Sequence, residues 1–145
     1  MVKLKSLLNE VVRLNSIKEV EALKPKLAAV AQEVYDAWQI SDDGYDELNG
    51  GGICHLIADE LVSVLSEHNI DRCQTVSSTH EQHVYVVGQF REGVYLIDVP
   101  YRYYETGGGY SWKKIPDVKF DESFINIEPL NYNPRKFSQY IDPDF

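Results

Sequence analysis

Two apolar runs, His83-Val84-Tyr85-Val86-Val87-Gly88 and Gly93-Val94-Tyr95-Leu96-Ile97-Asp98-Val99, are separated only by Gln89-Phe90-Arg91-Glu92. β-Branched and aromatic residues in runs of this length, joined by a short connection with a glycine to ease the turn, predict neighbouring antiparallel strands. If the loop is even-numbered, His83 stands directly opposite Asp98 or diagonal to it, on one face of the sheet. A three-residue loop would turn the two side chains to opposite faces.

The second constraint is Gly50-Gly51-Gly52-Ile53-Cys54-His55-Leu56-Ile57-Ala58-Asp59-Glu60-Leu61. Ile53, Leu56, Ile57, Leu61, Val64 and Leu65 recur at helical spacing, and the helix should end near His68-Asn69, with Asn69 as a left-handed cap. Cys54 then sits at a helix N-terminus, where unpaired N–H groups and the positive end of the dipole favour thiolate over thiol. The plainer alternative is a cysteine that packs as a small buried hydrophobe. Such a residue needs neither three glycines before it nor a polar His55 after it.

Elsewhere the pattern is simpler. Leu4, Leu7, Leu8, Val11, Val12 and Leu14 predict a first helix over 2–14, and Asn15-Ser16 offers a stop and a new N-cap for a short helix over 17–23. Pro25 suits the first turn of a third helix, whose stripe is Leu27, Val30, Ala31, Val34 and Trp38. Residues 41–52 are acidic, glycine-rich and aperiodic, and read as the loop that delivers Cys54. Ile70–Val76 is a strand candidate, as are Val118–Phe120 and Phe124–Ile127. Tyr101–Tyr110 reads as an aromatic, glycine-rich cover, and residues 131–145 as an extended tail. The fold class expected is α+β in a single domain over 1–145: a helical part over 1–40, then a core over 50–128 in which a Cys-bearing helix packs on a small antiparallel sheet.

With 145 residues, 43% of them hydrophobic, the chain can bury a core without disulfide staples. A formal net charge of −9 argues against a nucleic-acid partner. Asn9, Glu10 and Arg13 interrupt the leading apolar stretch too early for a signal peptide, and no run reaches membrane-spanning length. The expected address is the cytoplasm, where Cys54 and Cys73 remain free thiols.

Four histidines compete for the role of base. His68 lies near a helix C-terminus, His55 diverges from its helical neighbour Cys54, and His80 falls among Ser77, Ser78 and Thr79 in a loop. His83 is preferred because it opens a strand and has Asp98 within reach to fix its tautomer. Asp98 before Pro100 also reads as an ordinary strand-end turn former. Cys54, His55, Cys73, His80 and His83 are possible zinc ligand types, but His80-Glu81-Gln82-His83 is one residue short of the helical metalloprotease spacing and there is no closely spaced cysteine pair. Gly107-Gly108-Gly109 lacks the Lys-Ser/Thr of a phosphate-binding loop. No metal and no cofactor is expected.

From Gly50 to Pro100 the chain resembles the transglutaminase-like, papain-related superfamily of cysteine enzymes. Gly52-Ile53-Cys54 is similar to that family's Gly-x-Cys at the start of a central helix, continued by Ala58 and Leu61. His83-Val84-Tyr85-Val86 resembles the strand opened by the family's histidine, and Leu96-Ile97-Asp98-Val99-Pro100 the strand closed by its aspartate. The short interval from Cys54 to His83 implies a trimmed core with few strands. The resemblance implies Cys54 as nucleophile, His83 as proton shuttle and Asp98 as orienter, acting on a protein or peptide amide by hydrolysis, deamidation or acyl transfer. The Cys54 N–H would serve the oxyanion, with Trp38 and Asn49 as upstream side-chain candidates. Gly52, Tyr101, Tyr104, Tyr110 and Trp112 are the residues expected to line the substrate approach. The rival expectation is a non-catalytic protein-binding module on the same scaffold, using the acidic 42–47 loop and the tyrosine-rich surface.

Overall fold

In the computed structural model, which describes residues 14–40, 53–78, 83–106 and 113–130, the first described helix forms where the sequence supplies its own cap. Helix α1 (Ile17–Ala22) starts at Ser16, whose hydroxyl accepts from the Lys18 N–H while the Glu19 carboxylate accepts from the Ser16 N–H, a reciprocal capping box. Helix α2 (Lys24–Ile40) has Pro25 in its first turn, where a missing N–H costs nothing. Its buried stripe is Leu27, Ala28, Ala31, Tyr35 and Trp38, with Val30 and Val34 only half-buried. The expected face is therefore rotated by one position toward Ala28 and Tyr35. The helix expected over 2–14, the 41–52 loop and the 131–145 tail lie outside the described residues.

Helix α3 (Cys54–Glu67) buries Ile57, Ala58, Leu61, Val64 and Leu65. Each large aliphatic side chain enclosed this way contributes about 1.5–3 kcal/mol from removal of apolar surface from water. The helix ends in a Schellman motif: Asn69 takes a φ of 62°, its N–H donates to Ser66 O, and the Ile70 N–H reaches back to Leu65 O. Ile70 is thus part of the helix stop rather than of a strand. The strand expected over 70–76 instead occupies β1 (Cys73–Ser78).

Strand β2 (His83–Phe90) pairs antiparallel with β1 and with β3 (Gly93–Asp98). The hairpin loop is only Arg91-Glu92, because Phe90 is buried and continues the ladder opposite Gly93. Gly93 has a φ of 132°, open chiefly to glycine. A four-stranded antiparallel sheet in the order β1-β2-β3-β6 is completed by β6 (Asn126–Pro129). Between β3 and β6 lie the turn Tyr101–Tyr103 and a two-residue ladder of β4 (Glu105–Thr106) with β5 (Lys113–Lys114).

The strand expected at Val118–Phe120 does not form. Its backbone is bound by helix α2 instead: Val118 N–H donates to Tyr35 Oη at 3.1 Å, Phe120 N–H to Gln32 Oε1 at 2.7 Å, and Gln32 Nε2 donates to Val118 O at 3.2 Å. Likewise Phe124 belongs to a 3-10 turn over Glu122–Phe124, capped by Asp121, and pairing with β3 begins only at Asn126.

Alternation divides the sheet. Val86, Phe90 and Ile97 join the helices in the main core, whereas Val76 and Val87 form a smaller cluster with Tyr85, Val94 and Leu130 packed against it. Arg91 and Glu92 tie the hairpin tip to the start of α1, where Arg91 Nε donates to Leu14 O at 2.6 Å and the Ile17 N–H to Glu92 Oε1 at 2.9 Å. The result is a mixed α/β protein of three described helices and a small antiparallel sheet.

Candidate active site

His83 is the first residue of β2 and Asp98 the last of β3, so the hairpin brings them together at one end of the sheet. The register Val86↔Ile97, carried one step further, puts Asp98 opposite Tyr85 and leaves His83 diagonal to it on the same face. The two side chains meet: His83 Nε2 lies 2.9 Å from Asp98 Oδ1 and 3.0 Å from Oδ2. Since a carboxylate only accepts, Nε2 carries the proton of this bond, and Nδ1 is the ring nitrogen left for another partner.

Cys54, the first residue of α3, acts on the same imidazole, its side chain like that of Asp98 favouring the protonated ring. Burial alone would depress the imidazole. Hydrogen bonds to Asp98 and Cys54, with the negative charges of both, outweigh burial and raise His83 from its ordinary 6.5 to about 10. The ring is 5% exposed and lies between two tyrosines, 5.3 Å from the Tyr101 ring and 6.3 Å from Tyr85. Both help to hold its plane. Tyr85 was not among the expected site residues, although alternation along β2 puts it on the same face as His83.

Cys54 is half-buried and Cys73 buried, and both are free thiols. Burial, with the Asp71 charge added to it, pushes the Cys73 thiol up to about 12. No side chain caps the start of α3, so the first N–H groups of this helix, that of Cys54 included, have no intrahelical partner. His68 Nδ1 donates to Val64 O at 2.9 Å and ties down the end of α3, while His55 follows Cys54 on the helix. Among the described residues no three of His, Cys, Asp and Glu gather closely enough to hold a metal ion.

Of the residues expected to line the approach, Tyr101 packs on His83, while Tyr104 is fully buried and so cannot offer its ring as a surface for substrate. Tyr103 is exposed and packs at a tilt against Phe124, ring centres 5.1 Å apart. Gly52, Tyr110, Trp112, His80 and Asn49 lie outside the described residues, as do Gly107-Gly108-Gly109. Trp38 is buried beside Tyr35. A cleft of about 400 Å³ runs between α2 and α3, lined by Val34, Ala37, Trp38, Ile53 and Leu56 with Asp59 and Glu60. It begins beside the residue that precedes Cys54 but does not contain the Cys54–His83–Asp98 group.

Among the described residues no helix is long and apolar enough to cross a membrane. No protein-family model, curated protein or solved structure matches the chain.

Proposed function

We propose that the protein is a cysteine-dependent acyl transferase or hydrolase with a trimmed papain- or transglutaminase-like core, acting on a protein or peptide amide through Cys54, His83 and Asp98. The observation that carries this reading is a buried His83 whose Nε2 lies 2.9 Å from the Asp98 carboxylate, with the half-buried thiol of Cys54 at the start of α3 acting on the same ring. A purely structural His–Asp pair has no need of a half-exposed thiol on its other side.

In this mechanism the Cys54 thiolate attacks the carbonyl carbon, forming a C–S bond as the carbonyl electron pair moves to oxygen. Return of that pair breaks the C–N bond, and imidazolium His83 gives its proton to the departing amine. Water or a second amine then attacks the acyl-enzyme, His83 takes the incoming proton, and Cys54 is released. Asp98 stays ionised throughout and holds the imidazole in one tautomer. Hydrolysis, deamidation and amine transfer share these steps and differ in the leaving group and the acceptor.

The thiol chemistry is tested by alkylation with iodoacetamide near neutral pH, with peptide mapping of the product. Cys54 is expected to label much faster than Cys73, and Cys54→Ala to leave only the slow reaction. Equal, slow labelling of both would favour a binding module that keeps the scaffold without the activity.

A further inference from the structure

His83 lies between two aromatic rings, and the two are not equivalent. The centre of the Tyr101 ring is 5.3 Å from that of the imidazole with the planes inclined at 59°, whereas Tyr85 lies at 6.3 Å and 34°. A cation is drawn to the π face of an aromatic ring within about 6 Å of its centre, so Tyr101 is in range and Tyr85 is not. At the Tyr101 tilt the rings do not lie face to face, and the favoured contact sets the positive edge of one against the negative face of the other. Of these two rings, a protonated imidazole has the more positive edge. His83 is buried and Tyr101 half-buried, so little water screens the contact.

The local chain path fixes the Tyr101 ring against the imidazole. Asp98 ends β3, Val99 and Pro100 are buried, and the chain then turns through Tyr101–Tyr103. In that turn the Tyr103 N–H donates to Pro100 O at 3.1 Å and the Tyr104 N–H to Tyr101 O at 3.0 Å, with the wholly buried Tyr104 anchoring the far end. The stretch Asp98-Val99-Pro100-Tyr101 therefore supplies both the carboxylate that accepts from Nε2 and the ring that meets the same imidazole. We propose that Tyr101 is a positioning residue of the site, its π face favouring the imidazolium form of His83 and holding Nε2 toward Asp98. This rests on the thiol mechanism above, in which His83 carries the proton that Cys54 gives up, and Tyr101 acts there through the imidazole.

The test is a ¹⁵N titration of His83 in the full chain and in Tyr101→Phe and Tyr101→Leu, run beside acylation of Cys54 by p-nitrophenyl acetate. In that acylation the Cys54 sulfur bonds to the ester carbonyl carbon, the C–O bond to p-nitrophenolate breaks, and the thiol proton stays on His83. Leucine keeps an apolar cover over the imidazole without a π face, whereas phenylalanine keeps both. The imidazolium of Tyr101→Leu is expected to lose its proton about one pH unit lower than in the wild type, tenfold in the protonation equilibrium, and that of Tyr101→Phe at the wild-type pH. Equal values in all three proteins would overturn the assignment and leave the ring as packing alone. An equal fall in both variants would also overturn it, by placing the effect in the hydroxyl. A wild-type protein that never acylates at Cys54 would remove the thiol mechanism and the positioning role with it, while the titration still reports the ring contact by itself. Should Tyr101→Leu not fold, phenylalanines carrying successively more fluorine at position 101 keep the shape and withdraw π density stepwise. A His83 pKa that falls with each added fluorine is then expected, and one that stays constant would count against the role.

Discussion

His83 Nε2 lies 2.9 and 3.0 Å from the two carboxylate oxygens of Asp98, although the two residues stand diagonally rather than directly opposite on their strands. The same imidazole also feels the side chain of Cys54, the first residue of α3. If the three groups work as a unit, removing the base should cost most of the chemistry. His83→Ala is expected to slow Cys54 acylation by p-nitrophenyl acetate about 10²- to 10⁴-fold, and Asp98→Asn to slow it in the same direction by less. Stopped-flow measurement of p-nitrophenolate release checks both.

The same ion pair links stability to pH. His83 is raised above its unfolded value of 6.5, so its contribution is fully present below about pH 6.5 and is lost as the pH rises toward about 10. Urea unfolding followed from pH 6 to 10, on the order of that window, should show a falling midpoint in the wild type. The fall should be smaller in Asp98→Asn. A wild-type midpoint flat across this range would contradict the pairing.

Gly88 tests the packing beneath the sheet. A Cβ there would stand 2.6 Å from the Phe90 ring and 2.7 Å from the Cys73 sulfur, so backbone or core must give way. Gly88→Ala is expected to destabilise the protein by about 1–3 kcal/mol in chemical denaturation.

At the far end of the hairpin, Ser16 caps α1 and also donates to the Glu92 carboxylate. Ser16→Ala should cost about 1 kcal/mol of stability through the lost cap. Because this contact is remote from Cys54, the alkylation rate of that thiol should not change.

Much of the fold was legible because local rules were strong where they applied. Ser16 announced a helix start, Asn69 a helix stop, and an even-numbered turn was all that His83 and Asp98 needed to share one face. What could not be read depended on side chains from elsewhere in the chain. Val118 and Phe120 look like strand residues, and nothing nearby in sequence says that Gln32 and Tyr35 will take their backbone groups. Ile70 reads as the start of a strand until its N–H is seen closing the turn on Leu65. Tyr104 looked like a surface aromatic of a covering loop. Its burial follows from packing on Phe120 and from the hydrogen bond with Ile115, neither of which a local pattern encodes.

The most direct test of the central claim is a titration of the His83 imidazole, followed by its ¹⁵N resonances in the full chain. The arrangement predicts a pKa near 10 in the wild type, with Nε2 protonated throughout, and lower values in both Cys54→Ala and Asp98→Asn. A wild-type value close to 6.5, unmoved by either substitution, would mean that thiol, imidazole and carboxylate do not form one site.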